Sequence, residues 1–346
     1  MKETLTFSDR ISGFVKLGKR LSNLREEEKS EIFRRAYNQN NWFDERSIRQ
    51  ALDGLYVLLE ESNMRNWLAG YKLTNPQSPK SIGLLMAGNI PGVGFHDLIC
   101  VLLAGHKASV KLSSGDSFFS KWLIDQLVSI EPAFSSQIQI EEMLKGKDAY
   151  IATGSDNSSR YFHYYFGKYP HIIRANRTSL AVLTGKESDQ DLSELGKDIF
   201  SFFGLGCRNV SKVFVPNEQV LHRLLDNLES YRYVMENHKY LNNYEYTKAI
   251  YLVNKEDHLD NGFLLVKPSD ALVSPIAVLF YEIYSSEEEL NEKLVEIKEK
   301  IQCVVGDRAN HPDRIAFGKA QEPKPWEYAD HMDTLQFLLG LNQSLG

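Results

Sequence analysis

The chain changes texture at residue 81, and that change limits its fold more than any other feature. Ser81–Ala87 (SIGLLMA) is a near-continuous apolar run, the pattern of a strand buried on both faces. Such strands sit in parallel sheets that helices cover on both sides. The following segments fit: GNIPGVGFHD, an apolar helical stretch at Leu98–Ala104, and a second short strand at Ala108–Leu112. A third unit closes in the strand Ala149–Ala152 and opens into Thr153-Gly154-Ser155-Asp156. Strands alternating with helices predict an α/β fold with a parallel, doubly wound sheet. A second α/β unit follows. Its strands are predicted at Ser179–Leu183, Val210–Val215, Ala249–Val253 and Ile276–Tyr281, and its helices at Leu192–Phe203, Leu221–Leu228 and Glu287–Ile301.

The first 80 residues read as helices. Leu21, Leu24, Ile32 and Phe33 recur at helical spacing, and a second period runs through Ile48, Leu52, Leu55, Leu58 and Leu59. Asp44 is the expected N-cap of that second helix. Asn75-Pro76-Gln77-Ser78-Pro79 ends the region. At roughly 150 residues per domain, 346 residues predict two domains.

Composition removes several function classes. Lys and Arg number 40 against 46 Asp and Glu, a net charge of −6, so no overall positive field draws the chain to nucleic acid or anionic lipid. The aromatic stretch Tyr161–Tyr169, flanked by Arg160 and Lys168, is therefore not read as a base-stacking surface. The apolar stretches fall far short of the ~20 residues that span a bilayer, and MKETLTFSDR lacks the apolar core of a signal peptide. Three scattered cysteines without a CxxC point to a reducing, cytoplasmic setting. His96, His106, His163 and His171 lack metal-ligand spacing, so no metal is expected.

Four places could carry chemistry. Cys100 in LICVLLAG and Cys303 in IQCVVG read as small buried hydrophobes. Cys207 follows Gly204-Leu205-Gly206 and precedes Arg208 and Asn209, an accessible turn with a neighbouring cation, as a thiolate nucleophile needs. The loop Gly88–Gly94 follows a buried strand and opens a helix, where amides attract anions. It is neither the G-x-G-x-x-G nor the G-x-x-x-x-G-K-[ST] pattern, and it reads as a phosphate cradle or a plain tight turn. Lys111 ends a parallel strand, facing the crevice where ligands bind or snorkelling at an edge. Thr153-Gly154-Ser155 is a second candidate phosphate turn.

The order of these pieces resembles the aldehyde dehydrogenase superfamily. AGNIPGVGFHDLICVLLAGHKASVKLSS, IRANRTSLAVLTG, FFGLGCRNVSKVFVP and FGKAQEPKPWEYAD resemble most closely the LuxC-type acyl-CoA reductases, the fatty acid reductase subunits. The resemblance runs from about Ser81 onward and implies an aldehyde dehydrogenase-like fold. Residues 1–178 would hold the helical region and a dinucleotide-binding domain, to which the tail 311–346 returns, and 179–310 a smaller catalytic domain. Residue by residue, it implies Cys207 as nucleophile, Asn89 as oxyanion donor beside the Cys207 backbone N–H, and Lys111 at the adenosine ribose. Ser113 and Ser114 would face a 2′-phosphate, and Thr153, Gly154 and Ser155 the pyrophosphate. The implied cofactor is NADPH, with NADH left open.

Two departures stand out. The segment matching the superfamily's Glu-Leu-Gly-Gly-Lys is Ile173-Arg174-Ala175-Asn176-Arg177, which has no water-activating acid. No glutamate stands ahead of Ser274-Pro275 to hold the nicotinamide ribose. The implied activity is reduction of an acyl-CoA or acyl-protein thioester to an aldehyde through an acyl-cysteine. A non-redox acyltransferase or thioesterase using Cys207 stays open, as does a silent partner of an acyl-activating enzyme. A homo-oligomer and a base such as His96 also stay open.

Overall fold

The computed structural model describes residues 5–154, 156–175, 177–307 and 314–341. The chain divides into two compact units, Met1–Asn176 with Pro323–Gly346, and Arg177–Glu322.

The first unit begins with α1 (Phe7–Ser22), α2 (Glu26–Gln39), α3 (Glu45–Leu59) and α4 (Glu61–Leu68). Caps set their starts. Thr6 and Asp9 bond reciprocally in a capping box on α1, and Asp44 accepts the Ser47 N–H at 2.8 Å on α3, as expected. Phe14, Leu17 and Leu21 of α1 share a buried stripe that packs on α3, where Ile48, Leu52 and Leu59 are buried.

Strands and helices then alternate: β1 (Ser81–Leu85), α5 (Phe95–Leu103), β2 (Lys107–Lys111), α6 (Ser117–Ile130), β3 (Ile138–Ile140), β4 (Ala149–Thr153), α7 (Asp156–Phe166) and β5 (His171–Arg174). The sheet order is β3-β2-β1-β4-β5, and every pair is parallel. The sheet grows one way from β1 to β3 and the other way from β1 to β5. The strand order therefore reverses between β1 and β4. This is the doubly wound sheet that the apolar run predicted, with β3 and β5 as two short strands beyond those expected.

The second unit contains β6 (Thr178–Val182), α8 (Asp189–Phe200), β7 (Val210–Val215), α9 (Glu218–Asp226), α10 (His238–Asn254), β8 (Leu259–Asp260), β9 (Leu265–Pro268), β10 (Val278–Ile283), α11 (Glu287–Ile297), β11 (Ile301–Val305) and β12 (Arg314–Ile315). They build a seven-stranded sheet, β12-β11-β6-β7-β10-β9-β8, parallel except for the β8–β9 pair.

The predicted strand Ala249–Val253 is wrong: these residues end α10. Asn237 caps that helix by accepting the Lys239 N–H at 2.9 Å, and Tyr240, Tyr244, Thr247 and Tyr251 form its buried face. Spacings of four, three and four are helical. Leu252 and Val253 stay 60% and 81% exposed, so the apolar run is not the element's core side. The predicted helix Glu287–Ile301 is also shorter. It stops at Ile297, a single tight turn covers Lys298–Lys300, and Ile301 begins β11.

After the second unit the chain returns to the first through α12 (Thr334–Gly340), capped by Asp333, which accepts the Gln336 N–H at 2.8 Å. His106 Nε2 pairs with the Leu338 carbonyl at 3.0 Å, and Trp67 Nε1 donates to the Tyr328 hydroxyl at 2.8 Å. All four tryptophans (Trp42, Trp67, Trp122 and Trp326) belong to this first unit. Among the described residues, no helix is long and apolar enough to cross a membrane.

Candidate active site

In a doubly wound sheet, ligands bind outside the carboxyl ends of the strands, where the strand order reverses. Here that point lies between β1 and β4. Leu85 at the end of β1 pairs with Lys111 on one side and Ala152 on the other. The loop carrying Asn89, the end of β2 carrying Lys111 and the turn Thr153-Gly154 thus leave three adjacent strands at one edge. Asn89, Lys111 and Ser114 are exposed; Ser113, Thr153 and Gly154 are partly buried. Ser155 lies outside the described residues. An exposed ammonium, hydroxyls and the start of the eleven-residue α7 form a donor set that suits the phosphates and ribose of a dinucleotide.

The loop after β1 is held from behind. A Cβ on Gly88 would lie 2.4 Å from Ser113 Oγ, so only glycine lets these two segments approach so closely. Ser113 Oγ also accepts the Gly115 N–H at 3.2 Å. Asp116, at the start of α6, accepts the Gly92 N–H at 2.8 Å and the Ser120 hydroxyl at 2.7 Å. Burial pushes the Asp116 carboxyl up to about 6, against the Ser120 and Gly92 hydrogen bonds that favour its charge. The end of α2 and the residue after it brace the same segment: Asn40 Nδ2 donates to the Gly115 carbonyl at 3.1 Å, and Gln39 Oε1 accepts the Phe118 N–H at 2.8 Å.

Arg174 ends β5 opposite Thr153 and is 2% exposed. It donates to both Asp97 carboxylate oxygens, at 2.7 and 3.0 Å, and to the Thr153 and Thr334 hydroxyls at 3.2 and 2.6 Å. Burial opposes its charge, the Asp97 carboxylate more than offsets that, and the guanidinium ends above its ordinary value. Arg174 is therefore a fixed cation. His96 commits one ring nitrogen to the backbone. Its ring stacks on Trp67 with centroids 5.2 Å apart, Nε2 faces the Pro325 carbonyl at 2.9 Å, and burial lowers its pKa. A nitrogen facing a carbonyl must carry the proton rather than accept one.

Burial separates the three cysteines, Cys207 and Cys303 of the second unit and Cys100 of the first. Cys100 and Cys303 are buried, as expected; burial raises the Cys100 thiol well above its ordinary range and pushes Cys303 up to about 11. Cys207 alone is partly exposed. It stands on the turn between α8 and β7. The chain reaches that turn through Phe202, Phe203 and Gly204, all left-handed, with φ of 50°, 56° and 78°. Only glycine adopts this region at little cost, so two strained phenylalanines lie just ahead of the turn.

Asn209, 2% exposed, brackets the strained stretch. Its Oδ1 accepts the Gly206 N–H at 2.8 Å, and its Nδ2 donates to the carbonyls of Ser201 at 2.8 Å and Asp198 at 3.1 Å. The Asn209 backbone N–H closes on the Gly206 carbonyl at 3.0 Å. Ser179 Oγ donates to the Cys207 carbonyl at 3.0 Å. The Asp198 carboxylate accepts the N–H groups of Gly318 and Ala320 at 2.7 and 2.9 Å, and the Ala320 carbonyl accepts from Arg208 Nε. The Arg208 guanidinium is thus held to this loop. The sequence alone assigns no role to Asp116 or Asp198, and it shows Asn209 only as a polar neighbour of Cys207. Only Asp116 carries a local signal, a small polar residue after Gly115 at the start of a helix. Among the described residues, no group of three or more His, Cys, Asp or Glu is arranged to hold a metal ion.

A family model described as acyl-CoA reductase (LuxC) matches residues 7–263. No curated protein matches the chain. Many solved structures do. Aldehyde dehydrogenase 21 from Physcomitrella patens, in complex with the reaction product succinate, is 13% identical with a TM-score of 0.65, over 96% of this chain and 83% of that one. An acetylating aldehyde dehydrogenase from Geobacillus thermoglucosidasius is 11% identical with a TM-score of 0.61, over 92% and 84%. The Mycobacterium tuberculosis aldehyde dehydrogenase complexed with NAD+ is 12% identical with a TM-score of 0.60, over 86% and 76%. At these identities the likeness is one of fold.

Proposed function

This chain belongs to the LuxC family of acyl-CoA reductases, and from that premise we propose that it reduces an acyl-CoA thioester to an aldehyde through an acyl intermediate on Cys207. The observation that carries the proposal is that Cys207 alone among the three cysteines is not buried. It also stands on a strained, well-tethered turn, the setting in which reactive residues are held.

The Cys207 thiolate attacks the thioester carbonyl carbon, the bond to the CoA sulfur breaks, and CoA leaves as its thiolate. The Asn89 side-chain amide and the Cys207 backbone N–H donate to the oxygen on which negative charge develops. A bound nicotinamide dinucleotide, NADPH in this reading, supplies the hydride to the acyl carbon. The resulting thiohemiacetal on Cys207 collapses, releasing aldehyde and returning the thiolate.

Lys111, Ser113 and Ser114 are assigned to the adenosine ribose and its 2′-phosphate, and Thr153, Gly154 and Ser155 to the pyrophosphate. The Gly92 N–H is already taken by the Asp116 carboxylate. With that amide occupied the loop has one fewer backbone donor for a phosphate cradle, and Asn89 is assigned to the oxyanion through its side-chain amide. Where a water-activating acid would be needed for hydrolysis, the chain has the fixed cation Arg174, and this favours reduction over oxidation to a free acid. Acyl-protein thioesters belong to the same substrate class, and an acyl-activating enzyme is the kind of partner that would supply either.

The test mixes the protein with acyl-CoA of graded chain length, measures intact mass without NADPH, then follows NADPH consumption and aldehyde. The wild type gains one acyl group and Cys207→Ser gains none. An adduct that persists in Cys207→Ser refutes the assignment.

A further inference from the structure

A strained backbone persists only where its surroundings hold it, and here one side chain does most of the holding. The left-handed stretch 202–204 is bounded by carbonyls that must be satisfied on one side and by the Cys207 turn on the other. Asn209 bonds to both. Its Nδ2 ties down the Ser201 and Asp198 carbonyls before the stretch, and its Oδ1 takes the Gly206 N–H after it. Its backbone N–H closes the turn on the Gly206 carbonyl, so Cys207 and Arg208 occupy the two corner positions. Its own carbonyl accepts the Ser179 N–H at 3.3 Å, fixing the turn to β6, whose Ser179 hydroxyl also bonds the Cys207 carbonyl. An amide suits this position because it offers two N–H donors and a carbonyl acceptor in one small planar group. Only Asn is short enough to do this from within its own turn.

Taking Cys207 as the nucleophile, we propose that Asn209 is the positioning residue of the reaction. It holds the strained approach and the turn in one arrangement and so aims the Cys207 sulfur at the acyl carbon. It touches no substrate. Its contribution is geometric, and a geometric contribution is read differently by different electrophiles. A thioester within a bulky acyl-CoA demands one approach line, whereas a small alkylating agent in solution accepts many.

The experiment compares wild type, Asn209→Ala and Asn209→Ser in two reactions at Cys207, each mapped by peptide mass. One is acylation by acyl-CoA without NADPH, and the other is alkylation by iodoacetamide across a pH series. Far-UV circular dichroism and a cooperative thermal transition establish the fold of each variant. Asn209→Ser, which keeps a hydroxyl at the site, carries the comparison if Asn209→Ala does not fold. The expected result is acylation slowed on the order of a hundredfold, while alkylation of Cys207 holds its rate or speeds up as the turn loosens. Acylation at the wild-type rate overturns the proposal. Equal losses in both reactions also overturn it, because they indicate a general structural defect. If the wild type acylates but not at Cys207, the nucleophile assignment fails, and the positioning role falls with it.

Discussion

Arg174→Met should destabilise the first unit alone, by a predictable amount. The guanidinium is 2% exposed and makes four hydrogen bonds, two to Asp97 and one each to Thr153 and Thr334. Methionine replaces its length but no charge, leaving the Asp97 carboxylate buried without its partner. Removing one member of a buried pair costs about 3–5 kcal/mol. With a urea slope of about 2–3 kcal/mol/M for a unit of this size, the midpoint should fall by about 1–2.5 M. Tryptophan fluorescence isolates the effect, because all four tryptophans lie in the first unit. The double variant Asp97→Leu/Arg174→Met removes both charges and should regain most of the loss, since apolar replacement of a whole buried pair is often close to neutral. A single-variant loss below about 1 kcal/mol, or a double variant no better than the single, would refute the reasoning.

Asn89→Ala should lower turnover by about 10²–10³-fold with dinucleotide affinity nearly unchanged; parallel loss of NADPH binding in a fluorescence titration means that the loop holds phosphate instead. Asp116 and Asp198 are each pushed up by burial from 3.8 to about 6. The folded protein therefore binds protons that the unfolded chain does not between pH 6 and about 4. Their contribution to stability rises as pH falls through that window and is flat above it, by up to about 3 kcal/mol each. In Asp198→Asn the slope of the urea midpoint from pH 7 to 5, followed by far-UV circular dichroism, should shrink by the Asp198 share; an unchanged slope contradicts it. The acyl-enzyme should be long-lived without NADPH or CoA, because Arg174 cannot accept a proton from water; rapid release of free acid, followed by mass, reveals a base elsewhere. NADPH should be preferred over NADH, since Lys111 is followed by Leu112-Ser113-Ser114 with no carboxylate to repel a 2′-phosphate; equal kcat/KM for both defeats the preference.

What the sequence made legible was whatever depends on neighbours in the chain. Ser81–Leu85 declared itself by an unbroken apolar run, and Asp44 by its place before a charged first turn. Ala249–Val253 misled because five apolar residues cannot distinguish a strand from the end of a helix, and only the tyrosines upstream reveal the period. Long-range partners were out of reach. Arg174 could be read as lacking basicity, but Asp97, 77 residues away, could not be named as its partner. Asn209 was visible only as a polar neighbour of Cys207. Its role depends on left-handed backbone at Phe202 and Phe203, which nothing in those side chains predicts.

The first unit is interrupted in sequence by the whole of the second, and this bears on how the protein is made. During synthesis on the ribosome, β1–β5 emerge long before the segment that completes them. The Tyr328 hydroxyl for Trp67, the Pro325 carbonyl for His96, and the Thr334 hydroxyl for Arg174 all arrive after residues 177–322 have been translated. At roughly 5–20 residues per second, the nascent sheet waits on the order of ten to thirty seconds for its last layer. Through that interval it must survive with Arg174 and Trp67 incompletely partnered, while the continuous second unit is free to fold first. The unit that begins first is thus the last to be complete, and a chaperone that binds nascent chains should protect the older part of the chain longest.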